Sequence, residues 1–488
     1  MREFSAGVVA ATLLFTGCAV GPNYKRPAVN VPADFRGEEG AAQQASIADQ
    51  PWWEVFKDER LKELIQTALT NNYDLRVAVT RVEQARQIAR QAKSQFYPQL
   101  NYQAGSGYGR NELSGTVAPN GGQEQGSFLG ALSAAWEADV WGRIRRSNEA
   151  ARAQYLSTEW ARRGVMLTLV SDVAQAYFEL LELDLELDIA KRTTANFTDT
   201  LKLFTQRLEG GVATKLDTSR AEAALGTAAA AIPEVERQIA IKENQLCVLL
   251  GQNPGAIQRT SKLIDQVIPP QVPAGLPSEL MERRPDILQT EQLVRAANAQ
   301  VGVAIANFFP KIGLTTFVGG VSAPLSQLSS GQTLAWSVAG SVAGPLYTGG
   351  LLTAQKRQAV ASWEQAKLQY QQTALVAFQD VANALISRQK FEGVQQEQAR
   401  AVHAYEESVR ISLMRYTAGK ASYFEVLDAQ QQLFPAENSL AQTELNRRLV
   451  IVQLYLALGG GWNLTDPQWM GPGAPQGAVP GTPVPAKP

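Results

Sequence analysis

The stretch "AGKASYFEVLDAQ", residues 418–430, carries the residue types nearest to site chemistry. Glu425 and Asp428 stand three apart at a helix start, which puts both carboxylates on one helix face. Such a pair can act as acid and base, hold a cation, or line a pore. The first option needs partners, and they are scarce. The single histidine, His403, sits in the helical "AVHAYEES", away from any nucleophile motif. Its expected state is a solvated helix residue. The two cysteines are Cys18 and Cys247, so a zinc centre of His and Cys is not expected. No phosphate-cradling loop or dinucleotide fingerprint occurs. The net charge of −1 gives no basic footprint for nucleic acid. An enzyme, a metal or a cofactor is therefore the least supported reading. On the residues alone the acidic pair reads as a solvated helix start favoured by the macrodipole.

The N-terminus shows where the chain is expected to go. "MREFSAGVVAATLLFTGC" has a charged start and an apolar run from Ala6 to Phe15. That run is too short to span a bilayer and suits a signal peptide over residues 1–17. Small residues then lead directly into Cys18, as in a bacterial lipobox, which makes Cys18 the expected lipidation site. Phe15 stands where leucine is usual, and Arg2 is offset by Glu3. Ala19, rather than aspartate, follows the cysteine, which resembles outer-membrane sorting. Cys247 in "QLCVLLG" reads as a small buried hydrophobe. No later apolar stretch is long enough for a membrane helix.

The opening stretch has an earlier counterpart, "GGVATKLDTSRAE" at 210–222. Internal repeats explain it. "FYPQL" (96–100) recurs as "FFPKI" (308–312), and Asp74 maps to Asp286, both at an offset of 212. Farther on the offset is 208: Gly211 maps to Gly419, Asp217 to Glu425, and "LLGQ" (249–252) to "ALGG" (457–460). Each copy predicts a helix (58–96; 278–308), two strands, a very long helix (142–208; 350–417), a glycine break and a shorter helix (213–250; 420–458). About 67 residues at 1.5 Å each makes roughly 100 Å, too long for a globular core. In the first copy, positions 150, 157, 164, 171, 178 and 185, with 153, 160, 167, 174 and 181, form a heptad seam rich in small residues. Gln175 and Glu179 lie off it.

The strand segments alternate. "TLAWSVAGSVAG" puts Leu334, Trp336, Val338 and Val342 on one face. "SFLGALSAAWEADVW" puts Phe128, Leu132, Trp136 and Val140 on one face and Ser133, Glu137 and Asp139 on the other. "LNYQAGSGY" sets Leu100, Tyr102, Ala104 and Tyr108 against Asn101 and Gln103. Apolar-out, polar-in segments with terminal aromatics fit outer-membrane strands, and any one of them would also fit a half-buried soluble sheet. Lipid forbids open sheet edges. Four strands cannot close a barrel, so membrane strands would require several chains to share one.

Several segments then resemble a known family. They are "CAVGPNYKRP", "WWEVFKDERLKELIQTALTNNYDLR", "AWEADVWGRIRR", "GLPSELMERRPDILQTEQLVRAANAQVGVAIANFFPKI", "VLDAQQQLF" and "LYLALGGGW". In this order, on a duplicated frame, they resemble the TolC-like outer membrane factors, in the OprM-like lipoprotein branch of RND efflux systems. The resemblance implies a mainly α fold with a transmembrane β-barrel part. A homotrimer would share a 12-stranded outer-membrane barrel, continued by a 12-helix periplasmic α-barrel. It implies a lipidated and equatorial segment at 18–57, repeat 1 at 58–251 with a hairpin about 99–140, and an equatorial linker at 252–277. Repeat 2 follows at 278–460 with a hairpin about 311–344, then an equatorial segment and disordered Pro/Gly-rich tail at 461–488. Implied partners are outer-membrane lipid, a periplasmic adaptor and an inner-membrane RND proton-driven pump, with the chain as a passive duct anchored through Cys18.

The resemblance also assigns the opening stretch. Asp428 and Glu425 match the family's acidic gate ring, and Phe424 matches a position where some members place an apolar ring. Asp217 and Tyr416 match residues that tie neighbouring helix pairs when closed. Ala421 replaces an arginine that some relatives carry, with Lys215, Arg220 or Lys420 as possible substitutes. The glycine tips, Gly210, Gly211 and Gly419, with Arg207, Val212, Ala213, Thr417, Lys420 and Ala421, are implied to meet the adaptor. Two rivals share features with this reading: the exit channel of a type I protein secretion system, and a pore-less coiled-coil lipoprotein.

Overall fold

The computed structural model describes residues 19–38, 46–110, 124–268, 273–474 and 478–482. The expected signal segment, Cys18, residues 111–123 and residues 475–477 and 483–488 of the C-terminal tail lie outside the described residues. The elements are α1 (Trp52–Val55), α2 (Glu59–Asn71), α3 (Tyr73–Ser94), β1 (Gln99–Arg110) and β2 (Glu124–Ala138), then α4 (Arg143–Glu209) and α5 (Lys215–Leu249). After them come α6 (Pro277–Arg283), α7 (Pro285–Ala306), β3 (Lys311–Ser322), β4 (Leu334–Ala343), α8 (Leu351–Thr417) and α9 (Tyr423–Ala457). The duplication is visible in the lengths. Helices α3 and α7 each have 22 residues, α4 and α8 each 67, and α5 and α9 each 35.

One expectation is corrected in both copies. The helices expected over 58–96 and 278–308 are each broken, at Asn72 and at Arg284. Arg284 precedes Pro285, whose ring holds it extended at ψ 123°. Asn72 is held at ψ 131°, and its Oδ1 caps the next helix by accepting from Leu75 N at 3.0 Å. The two break residues do the same work. Asn72 Nδ2 donates to Leu249 O at 3.0 Å, and Arg284 Nη1 donates to Ala457 O at 3.2 Å. These carbonyls are repeat mates at the C-termini of α5 and α9, where helix carbonyls lack partners.

The chain divides into two compact units. One comprises Met1–Ala28, Arg81–Glu159 and Gln289–Gln371. It contains a single antiparallel sheet in the order β1-β2-β3-β4, with Gln99 opposite Ala135, Phe128 opposite Ser322 and Lys311 opposite Ala343. Strand β2 stops at Ala138, short of the expected hairpin end near 140. Asp139 and Val140 are therefore not on strand faces. Asp139 instead accepts from Ile144 N (3.0 Å) and Arg145 N (2.8 Å), capping α4, while Glu137 pairs with Arg143 at 2.8 Å. Unsatisfied amides at the start of a long helix attract a carboxylate more strongly than strand alternation does.

The other unit comprises Val29–Thr80, Trp160–Leu288 and Gln372–Pro488. In it the α4 seam widens. Met166, Val170, Val173, Ala174, Tyr177, Phe178, Leu180 and Leu181 are all buried, far more than a two-in-seven stripe. Among the described residues α4 is the one helix long and apolar enough to cross a membrane, and its apolar window is 67% buried inside the chain. That composition serves a protein core.

Candidate functional site: the paired hairpin tips

Both hairpins end in the same turn. At the first, Gly211 adopts φ 73°, Val212 N donates to Arg207 O at 2.9 Å and Gly211 N donates to Leu208 O at 2.9 Å. At the second, Gly419 has φ 73°, Lys420 N donates to Arg415 O at 2.8 Å and Gly419 N to Tyr416 O at 3.0 Å. These are paired C-terminal caps of the Schellman type, and the left-handed residue explains glycine at both. Nothing lies within 4 Å of a Cβ built on either glycine, so both turns face open space. Val212 is 69% exposed at the first tip.

Behind the turns a small core holds the four helix ends together. Phe197, Phe204, Ala221, Ala224, Ala228, Tyr423, Val426 and Leu427 are buried in it, with Tyr416 packed at its side. The Phe204 and Tyr423 rings lie 4.0 Å apart between centroids, and Phe204 and Tyr416 lie 5.2 Å apart. Arg207 stacks over the Tyr416 ring at 4.6 Å. Burial, then the nearby Asp217 and Tyr416, pushes the Tyr423 hydroxyl up to about 12.

The acidic residues separate by environment. Asp217 closes a capping box with Thr214: its Oδ2 accepts from Thr214 N (3.1 Å) and Oγ1 (2.7 Å). Its repeat mate Glu425 occupies the same helical position, yet Ser422 makes no side-chain cap. Glu425 instead pairs with Arg415 of α8 at 3.3 Å. Phe424, Glu425 and Asp428 are exposed together, while Tyr423, Val426 and Leu427 are buried on the opposite side of α9. Three of the five expected gate residues therefore share one solvent face of one helix, while Asp217 and Tyr416 lie on other helices.

Sequence reasoning missed Arg415, Phe204 and Tyr423. The cation paired with Glu425 within the chain is Arg415. A signal for it existed, because Arg415 is the repeat mate of Arg207. Phe204 and Tyr423 carried no such signal, since their mates are Ser412 and Lys215. His403 is 86% exposed on α8, and Cys247 is buried with Sγ donating to Gly255 O at 3.3 Å.

The residues after Cys18 are firmly held. Val20 N donates to Trp141 O (3.1 Å) and Arg146 donates to Asn23 Oδ1 (2.9 Å). Tyr24 and Arg26 both reach the buried Glu291, at 3.0 and 2.8 Å. Residues 20–26 are thus built onto the unit that bears the strands.

The family model for outer membrane efflux proteins matches residues 64–252 and 276–460, one segment per repeat. The cation efflux system protein CusC of Escherichia coli is 34% identical over 92% of this chain and 97% of its own. The toluene efflux pump outer membrane protein TtgI of Pseudomonas putida is 33% identical over 95% of this chain and 100% of its own. Among solved structures, the open-state MtrE outer membrane channel of Neisseria gonorrhoeae superposes with a TM-score of 0.82 at 30% identity, over 91% of this chain and 99% of that one. With the duplicated frame, the four-stranded sheet and both tips matched along nearly the whole length, the chain belongs to the outer membrane efflux protein family.

Proposed function

We propose that this chain is the outer-membrane exit duct of a tripartite RND-type efflux pump in a Gram-negative cell. Three copies would share a 12-stranded barrel and a 12-helix periplasmic tunnel. The observation that carries this is the sheet. Every residue of β4 is exposed, on both faces, as are Leu100 (82%) and Tyr102 (83%) of β1. A half-buried soluble sheet would cover one face with its own core. Edge strands bare on both faces fit a barrel segment whose outside meets lipid and whose edges meet other copies.

Conduction in this reading is passive. The inner-membrane RND pump supplies the energy, and a periplasmic adaptor engages Gly210, Gly211, Val212, Gly419, Lys420 and Arg207. Phe424, Glu425 and Asp428 form the resting constriction. Carboxylates brought together around an axis repel one another and favour cations. Arg415 offsets Glu425 within each copy, which leaves Asp428 as the dominant charge. Asp217 and Tyr416 brace the closed state; a tie from Asp217 to a neighbour would use Oδ1, since Oδ2 serves its own cap. Cys18 carries the lipid anchor, a reading supported by the tight docking of residues 20–26. CusC and TtgI are named for cations and toluene, although both align along nearly all of this chain. We therefore place substrate choice mainly with the inner-membrane partner. The efflux naming of the relatives favours this over a protein-secretion channel.

The test is planar-bilayer conductance of the purified chain, together with drug susceptibility of a deletion strain and its complement. Discrete channels and restored resistance are expected. A chain that inserts without conducting is a rod, and the proposal falls.

A further inference from the structure

The two hairpins of the sheet end at different heights. On the β1–β2 side the ladder runs up to Arg110 opposite Glu124. On the β3–β4 side it ends lower: β3 stops at Ser322 opposite Phe128, and β4 begins at Leu334 opposite Gly320. The connection between them, 323–333, folds back on the sheet. A Cβ on Gly130 of β2 would lie 3.0 Å from Leu328 Cδ2, and one on Gly320 of β3 would lie 2.8 Å from Leu328 O and 2.6 Å from Thr333 O. Gly130 and Gly320 are direct cross-strand partners, so the pair forms a flat seat for the connection.

The seat is on the apolar face. Cross-strand partners share a face, and so do residues two apart along a strand. Gly130 and Gly320 therefore share theirs with Tyr102, Leu132, Val318, Leu334 and Trp336, all exposed. The sheet curls away from that side. On the opposite face a Cβ on Gly319 would lie only 2.6 Å from Cα of its partner Ala131, a crowding that marks the concave side. The connection thus lies on the convex side, the outside of a barrel. It covers the two central strands, whereas neighbouring copies would meet β1 and β4 at the edges.

Its depth follows from the register. Gly130 and Gly320 stand eight residues up the strands from Ala138 and Ile312. At about 3.3 Å per residue and a tilt of about 40°, that is about 20 Å, within an apolar band about 25 Å tall. Its chemistry suits that depth, since no residue from Ile312 to Gln355 is charged. The connection also seals its own backbone. Gln327 N donates to Pro324 O, Leu328 N to Leu325 O and Thr333 N to Ser330 O, each at 3.1 Å. The Thr333 hydroxyl meets the carbonyls of Leu328 at 3.3 Å and Ser330 at 3.2 Å, and bonds that of Gln327. Irregular backbone is costly beside hydrocarbon unless its polar groups are satisfied within the protein. Leu325 is left 62% exposed on this sealed turn.

We propose that the β3–β4 connection is a lipid-contacting wedge on the outside of the barrel. Leu325 enters the acyl chains of the leaflet farther from the helices, and the exposed Ser326, Gln327 and Gln332 hydrogen-bond its polar boundary. This rests on the barrel reading above and adds a lipid contact outside the strands.

The test places a fluorophore on Leu325→Cys in the full chain, reconstituted into phosphatidylcholine vesicles. Phospholipids brominated on their acyl chains quench from the lipid side, and iodide quenches from water. Val338→Cys, on the apolar face of β4, serves as the lipid reference. Ser337→Cys, on the other face, serves as the water reference, and the chain without an added cysteine is the blank. Leu325→Cys should be quenched by bromine about as strongly as Val338→Cys, and by iodide severalfold less than Ser337→Cys. Gly320→Val, or Gly130→Leu if that variant fails to assemble, removes the seat. Bromine quenching at Leu325→Cys should then fall severalfold while that at Val338→Cys holds. Quenching that survives loss of the seat overturns the seating. Iodide quenching at Leu325→Cys, or quenching by neither agent, overturns the wedge while bromine quenching at Val338→Cys keeps the barrel. No bromine quenching at Val338→Cys overturns both.

Discussion

The two hairpin tips are built alike and loaded differently. Their turns share φ 73° at the glycine and the same paired amide-to-carbonyl bonds. The first tip closes its chemistry locally, because Asp217 is consumed by the Thr214 capping box. The second lacks that box, so Glu425 crosses to Arg415 and Asp428 stands exposed beside Phe424. At the position matching Asp428 the first copy has Arg220. Duplication kept the backbone device and let the charges diverge, which is how one frame can supply both a passive support and a gate.

The largest effect should come from the shared feature. Gly211→Glu and Gly419→Glu each place a bulky charge on an open docking turn and force a left-handed residue costing about 1 kcal/mol. Both should abolish drug resistance in complementation assays while immunoblots show normal amounts of oligomer. Resistance retained by either variant would put docking elsewhere. Next comes the divergent feature. Asp428→Ala, alone or with Phe424→Ala, should raise single-channel conductance severalfold, and Arg220→Ala should leave it unchanged. Equal responses would erase the distinction between the tips.

A smaller effect separates the caps. Thr214→Ala should destabilise its tip by about 1 kcal/mol, read as lost hydrogen-exchange protection over the first turn of α5. Ser422→Ala should change little, since it caps nothing. The smallest effect concerns Glu182 of α4, whose repeat mate Lys390 is exposed. Burial, then the neighbouring Glu186, pushes the Glu182 carboxyl from 4.5 up to about 8. The folded state holds this proton more tightly than the unfolded state. Its contribution is therefore complete at low pH and is lost as pH rises from about 4.5 through about 8. Glu182→Gln should flatten that decline, raising Tm by a few degrees at pH 8 with little change at pH 4. Lys390→Gln should do neither. A Tm unaltered at pH 8 would show that Glu182 is already well solvated.

Much of this was legible in the residues. The glycine pair, the 212 and 208 offsets and the strand alternation are local patterns, and local sterics and periodicity determine them directly. They led to the helix lengths, the strand count and the tips. Arg207 was legible as a tip residue, but its placement over Tyr416 was not, since that contact joins residues from α4 and α8. The strand's early end at Ala138 was missed because alternation alone cannot register that α4 has amides in need of Asp139. The breaks at Asn72 and Arg284 were missed for a related reason. Their side chains satisfy carbonyls at Leu249 and Ala457, more than 170 residues away.

The sequence by itself determined that the chain is a tandem repeat, where its turns fall, and which helix faces are apolar, because these follow from glycine, proline and periodicity within a few residues. Only the tertiary structure decided which partner each acidic residue takes. Asp217 and Glu425 have the same spacing from their turns, and the choice between a capping hydroxyl and a cross-helix arginine is made by packing.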